Sequence, residues 1–218
     1  MVTETLFESL LPVKVIGLEG KYIPIDLSAE NAKISDLKTA SAFETYIDKH
    51  LIENKAAAAF GGYLEERNLY KRSEIFNNAE AERNIHIGLD IWANAGTSVL
   101  AALDGNVHSF NYNTGLGNYG PTIILQHKID DKTFYTLYGH LSVESIEDIE
   151  IGDEFKKGAA IATLGDASVN GDYAPHLHFQ IILDIGDYFG DYPGVCSKDD
   201  LEYYSKNCPN PNLLLKLK

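Results

Sequence analysis

Two cysteines, one methionine and one tryptophan stand among 218 residues, and 18 Lys and Arg are outnumbered by 32 Asp and Glu. Each shortage excludes something. The formal net charge of −14 leaves no cluster of basic side chains for the counterion release that drives nucleic-acid binding, so a nucleic-acid partner is not expected. No apolar run is long enough to span a bilayer. Residues 1–9 carry acids where a secretory signal has a basic region, and their apolar run is too short for one, so the sequence reads as cytoplasmic. Cys196 and Cys208 could form one disulfide or remain two free thiols; without an export signal, free thiols are expected, and a second metal site built on them is not. No internal repeat, low-complexity tract or long linker is present. The glycine-rich stretch 113–120 lacks the lysine and following helix of a phosphate-binding loop and reads as a hairpin connection.

What is present is sufficient for one substantial core, with 44% hydrophobic residues. From Ile85 onward, short β-type runs alternate with Gly, Asn and Asp turns, which predicts a mainly β, α+β protein built on antiparallel sheets. Before that point, Ser41-Ala42-Phe43-Glu44 reads as a capping box. Apolar residues at helical spacing follow it, and Gly61-Gly62 is the expected stop. An amphipathic helix buttressing the sheet is one reading of this region; the other has residues 61–72 walling or covering a cleft. The expected division is an N-terminal helical or irregular extension (1–80), a core (81–185) and a C-terminal tail packed on that core (186–218).

The chemistry is concentrated in histidine. In His176-Leu177-His178-Phe179-Gln180, side chains alternate across a strand, so His176, His178 and Gln180 share one face and Leu177 and Phe179 the other. Asp90 follows His86 by four, a same-face spacing in either a strand or a helix. Two imidazoles and one carboxylate form the ligand set that leaves a coordination position open for water in hydrolytic zinc sites. His140 ends the strand-like run 134–140, directly after a glycine that permits close backbone approach. His50, His108 and His127 lack ligand-type neighbours and read as structural or surface residues. No His-Glu-x-x-His helix exists to supply a glutamate base.

These motifs, in order, resemble the lysostaphin/LytM-type zinc metallopeptidases. The likeness is carried by His86-Ile87-Gly88-Leu89-Asp90, Tyr138-Gly139-His140-Leu141 and His176-Leu177-His178-Phe179. It extends through Ala95-Gly96-Thr97-Ser98-Val99, Asp104-Gly105-Asn106-Val107, Ile151-Gly152-Asp153 and the stretch 157–165. The resemblance implies a barrel-sandwich hybrid core with one Zn2+ per chain held by His86, Asp90 and His178. It places His140 and His176 beside a zinc-bound water that attacks a peptide bond. The implied substrate is a peptide, in peptidoglycan cross-links or stem peptides, although such substrates usually lie in the periplasm or outside the cell. One departure is the loop 165–175, which is more acidic than the Gly-, Ser- and Thr-rich loop of many relatives and carries Tyr173, so the substrate need not be that family's best-known cross-bridge. From a different class, the competing reading is a peptide- or wall-binding module that keeps the metal site without cutting. A further reading is a latent state in which Asn84 or an N-terminal side chain fills the open metal position. The oligomeric state is not legible.

Overall fold

The alternating run that begins at His176 is a strand in the structure, a computed structural model that describes residues 2–68, 77–78 and 81–218. In chain order, the first part contains helix α1 (Val2–Ser9), strand β1 (Tyr22–Pro24), helix α2 (Ala40–Asn54), β2 (Ala58–Gly61), β3 (Glu65–Glu66), β4 (Asn77–Asn78) and β5 (Ala81–Glu82). Strands β6 (Ile85–His86), β7 (Leu89–Trp92), β8 (Ser98–Leu100), β9 (Gly105–Asn113), β10 (Gly120–Ile129) and β11 (Lys132–Gly139) follow. The chain continues through β12 (Glu154–Phe155), β13 (Ala160–Thr163), β14 (His176–Ile182), β15 (Val195–Cys196), α3 (Leu201–Asn207) and α4 (Asn212–Leu215).

The main sheet has the order β1-β2-β7-β14-β11-β10-β9-β12. Its pairings are antiparallel except at one edge, where β1 and β2 run parallel. That exception lies before Ile85, outside the stretch read as antiparallel, and the reason is local. A parallel pair needs a crossover between its strands, and α2 is that crossover, so the N-terminal part forms a βαβ unit laid against the sheet.

Register then decides which residues share a face. Ala59, Trp92 and His176 lie in one row across β2, β7 and β14, and Gly61, Asp90, His178 and Gly139 form the next row of the same face. The intervening positions point the other way: Phe60, Leu89, Ile91, Tyr138, Leu177 and Phe179 enter the principal core with Val99, Val107, Ile123 and Phe134. Each fully buried aliphatic or aromatic side chain there contributes about 1.5–3 kcal/mol. The two faces of β14 therefore separate core from chemistry, as the His-x-His pattern predicts.

Helix α2 departs from expectation at both ends. Its cap is Thr39, whose hydroxyl accepts the Ala42 amide at 3.2 Å, while Ser41 lies inside the first turn. The helix stops at Asn54, with Lys55 in a left-handed conformation (φ 50°). The alanine run beyond it pairs with β1 instead of prolonging the helix. Tertiary pairing overrides alanine's helix propensity there, because Ala58 and Ala59 are fully buried in the sheet between β1 and β7. Tyr138 is a core residue whose hydroxyl accepts the Ala102 amide at 2.9 Å, and burial raises its pKa to about 12.

A second, three-stranded sheet, β15-β6-β3, holds His86 between the N-terminal part and the tail. Cys196 lies in β15; both cysteines are free and buried. No helix among the described residues is long and apolar enough to cross a membrane.

Candidate metal centre and cleft

His178 and Asp90 are direct cross-strand partners on β14 and β7, and His86 reaches the same point from β6. Gly88 makes this approach possible, since a Cβ at that position would collide with the His178 ring. Only the facing atoms of the three side chains remain free to bind a ligand. His86 Nδ1 lies 2.8 Å from the Gly62 carbonyl, which can only accept, so Nδ1 carries the proton and Nε2 a lone pair. His178 Nε2 donates likewise to Gln180 Oε1 at 2.8 Å, leaving a lone pair on Nδ1. Gln180 is itself anchored by donating to the Pro193 carbonyl at 3.1 Å.

The two lone-pair nitrogens stand 2.9 Å apart, and Asp90 Oδ1 lies 3.2 Å from His86 Nε2 and 3.3 Å from His178 Nδ1. Asp90 Oδ1 is buried and has no hydrogen-bond partner among the described residues. Three electron-rich atoms facing one another without a proton between them repel, and a cation at their centre removes that cost. The triangle also has the right size: bonds of about 2.0–2.1 Å in a tetrahedral site separate the donors by about 3.3–3.4 Å. The donor set therefore fits a small divalent metal.

His140 and His176 flank this triangle without joining it. His140 Nδ1 donates to the Asn170 carbonyl at 2.8 Å, and His176 Nδ1 to the Ala174 carbonyl at 2.7 Å, so each ring keeps a lone pair on Nε2. Their centroids are 4.2 Å apart, and His176 Nε2 lies 3.9 Å from Asp90 Oδ1. His140 adopts a left-handed backbone (φ 63°), an uncommon conformation for a side chain with a Cβ. Gly139 before it packs directly on the Tyr119 ring, 2.7 Å from where a Cβ would stand, so the close approach read from the sequence is real.

Burial sets the electrostatics of the metal-free centre. It pushes His86 down to about 4 and His176 below its ordinary value, in both cases against the attraction of Asp90. Burial and the neighbouring His176 and His178 hold His140 well below its ordinary value. Burial works against ionised Asp90, but His86, Arg67 and His176 outweigh it and keep the carboxyl well below its usual range. At neutral pH the centre thus has neutral His86, His140 and His176 beside an ionised carboxylate.

Arg67 is the residue that sequence reasoning placed only as a wall of the cleft. It is 2% exposed, donates from Nη1 to Asp90 Oδ2 at 2.6 Å and from Nε to Glu65 Oε2 at 2.5 Å, and lies 5.6 Å from the Trp92 ring centre. One carboxylate oxygen of Asp90 is thereby held by Arg67 while the other faces the metal position. Nothing in the string Glu65-Glu66-Arg67 signals this, because the pairing spans 23 residues. Asn170, fully buried, also escaped notice; its side chain bonds Gly165, Tyr173 and the Tyr173 amide, fixing the loop whose carbonyl orients His140. Asn84 does not enter the centre: its amide donates to Glu66 at 3.3 Å. Residues 69–72, the rest of the suggested wall, lie outside the described residues. The three histidines read as structural behave so in their contacts: His50 bonds the Pro24 carbonyl, His108 the Ser109 hydroxyl, and His127 the Asp104 carbonyl and Thr136 hydroxyl.

Against this geometry, residues 84–188 match the model of peptidase family M23. These residues are an M23 domain. The M23 domain brings in all five expected site residues; Arg67 lies before it. Peptidoglycan DD-endopeptidase ShyC of Vibrio cholerae is 35% identical over 99 residues, 45% of this chain and 20% of that protein. Glycyl-glycine endopeptidase ALE-1 of Staphylococcus capitis is 35% identical over 95 residues, 44% of this chain and 24% of that protein. The chain thus spans about a fifth of the length of these curated relatives. Among solved structures, the catalytic domain of lysostaphin from Staphylococcus simulans is 28% identical with a TM-score of 0.39, over 56% of this chain and 80% of that one.

Proposed function

We propose that this chain is a zinc-dependent endopeptidase that hydrolyses a peptide bond, with peptidoglycan cross-links or stem peptides as the substrate. The observation that carries the reading is the donor triangle of His86 Nε2, His178 Nδ1 and Asp90 Oδ1, with its unpartnered buried oxygen. His86, Asp90 and His178 would hold one Zn2+ per chain, although such a donor set accepts other divalent ions according to their availability. When bound, the metal supplies Lewis acidity toward a carbonyl and lowers the pKa of water to about 7.

The remaining work falls to the chain's own groups. His140 and His176 each have their tautomer fixed by a backbone carbonyl and present an unprotonated Nε2 to the cleft, so both can accept a proton at neutral pH. Once protonated, the same Nε2–H can donate to a developing oxyanion or return the proton to the leaving amine. The short His140–His176 separation lets one ring serve as base while the other stabilises charge. Tyr119 and Tyr173 line the cleft beside them, each with its ring against His140. The name of one relative, a peptidoglycan DD-endopeptidase, supports a peptidoglycan substrate, and that of the other, a glycyl-glycine endopeptidase, supports hydrolysis of a peptide bond. We read the chain as an extension (1–80), a peptidase core (81–185) and a tail (186–218), supported by the placement of the matched stretch.

The test is a digest of purified peptidoglycan and a mixed peptide library, with mass spectrometry of the products. Metal-loaded protein is compared with chelated protein and with His178→Ala. New amine termini only in the loaded wild type are the expected result. No products from a protein that binds one metal would instead favour a module that binds wall peptides without cutting them.

A further inference from the structure

The cavity that contains the metal donors does not end at them. It runs from the M23 domain onto residues before it, where Leu27, Ala40, Phe43 and Ile47 line it together with Trp92 and Ala174. Ala40, Phe43 and Ile47 recur at three- and four-residue spacing on the face that α2 turns to the sheet. Trp92 joins the two ends, packing in the α2 cluster while stacking on His176 at 5.7 Å and 21°. The rest of the lining is different in kind. Gly117, Asn118 and Gly194 bring backbone and amide groups there, beside the hydroxyls of Tyr119 and Tyr173.

From this asymmetry we propose that the α2 wall is a subsite for an uncharged aliphatic side chain of the substrate, on a residue flanking the scissile bond. The inference rests on the peptidase reading and specifies its substrate class. Three observations lead to it. The apolar end is continuous with the reacting centre, so a peptide whose carbonyl reaches the metal position has a neighbouring side chain within the same cavity. The cavity's charged side chains besides the histidines are Arg67 and Asp90, which pair with each other, so neither is free to neutralise a buried ion. A charged substrate side chain would be buried there without a partner, an arrangement proteins avoid. Ala40 and Ala174 place short side chains among Leu27, Phe43, Ile47 and Trp92, so the lining offers an aliphatic group contacts that a glycyl residue would not make. The polar wall is then left to the peptide backbone, and the two walls together fix the direction in which the chain lies.

The experiment measures kcat/KM on matched peptides that differ at the residues flanking the scissile bond, with Gly, Ala, Leu, Asp or Lys in turn. The metal-loaded full chain is compared with Ala40→Leu, which fills the subsite, and Phe43→Ala, which enlarges it; bound metal and folding are checked in each. Wild type is expected to prefer Ala or Leu over Gly, Asp and Lys by about 10-fold or more at one position, the size of effect an apolar pocket supplies. Ala40→Leu should reduce the Leu-to-Gly ratio at least 10-fold while metal content is retained. Phe43→Ala should shift preference toward larger side chains, which keeps the inference testable if the larger residue at position 40 prevents folding. Cleavage indifferent to side chain, or equal loss on every peptide in the variants, would overturn the subsite and leave the peptidase reading standing. No cleavage by loaded wild type would sink both.

Discussion

The cleft has two walls of different origin. One belongs to the M23 domain and carries the donors and the two flanking histidines; the other comes mainly from α2 and the segment after β1, joined by Trp92 and Ala174, and is almost entirely apolar. The first wall consists of groups oriented by hydrogen bonds to Gly62, Asn170, Ala174 and Gln180. The second is shaped by packing alone. The difference suggests a division of labour: reactivity resides in directional contacts made on groups of the shared domain, and selectivity in the side chains that an appended βαβ unit lays over it. Gly62 and Arg67 cross the boundary, because these N-terminal residues hold His86 and Asp90, donors of the M23 domain.

The largest expected effect comes from removing a donor. Asp90→Ala or His178→Ala should abolish both metal binding and turnover, read by metal analysis and peptide hydrolysis; activity surviving without metal would break the distinction between the walls. His140→Ala and His176→Ala should each keep the metal yet lose about 10²–10⁴-fold in kcat, the range ascribed to proton transfer by a positioned side chain. Loss of metal in either variant would instead make that histidine a ligand.

Arg67→Met should weaken metal affinity by about 10–100-fold, as measured by competition with a chromophoric chelator, because Asp90 loses the group that orients it. Stability should also fall, by about 3–5 kcal/mol in chemical denaturation, since a buried carboxylate is left without its partner. Unchanged affinity would show that the N-terminal part supplies only a wall.

The smallest effect is that of pH on the metal-free protein. His86 has an ordinary pKa of 6.5 in the unfolded chain and about 4 when folded, so between those values the unfolded state binds more protons. Stability should be constant above about pH 6.5 and decline as pH falls toward 4, with ionised Asp90 adding further loss below its ordinary value of 3.8. Thermal melts of chelated protein should show this decline, and metal loading should move it to lower pH by competing with protons for the imidazole. A flat profile would contradict the burial of these histidines.

The two walls also differ in how far they could be read beforehand. The strand alternation at 176–180 places two histidines and Gln180 on one face from period alone, and the structure keeps that arrangement. The His86–Asp90 spacing was legible as a pair, although the two residues sit on separate strands turned by Gly88. Helix α2 was legible in the middle and not at its ends, because Thr39 and Ser41 are equally good caps in isolation. The alanine run after it carries a helical propensity that β1 overrides. The Arg67–Asp90 pair and the Asn170 carbonyl under His140 were hidden for a simpler reason. They are contacts between segments distant in sequence, and no local pattern encodes them.

The most direct test of the central claim is a titration of Zn2+ into chelated protein, following bound metal and peptide hydrolysis in the same samples. Activity that rises with occupancy, saturates at one equivalent per chain and is absent from His178→Ala is the predicted result. Hydrolysis by the metal-free protein, or full occupancy without hydrolysis of any peptide or wall substrate, would contradict it.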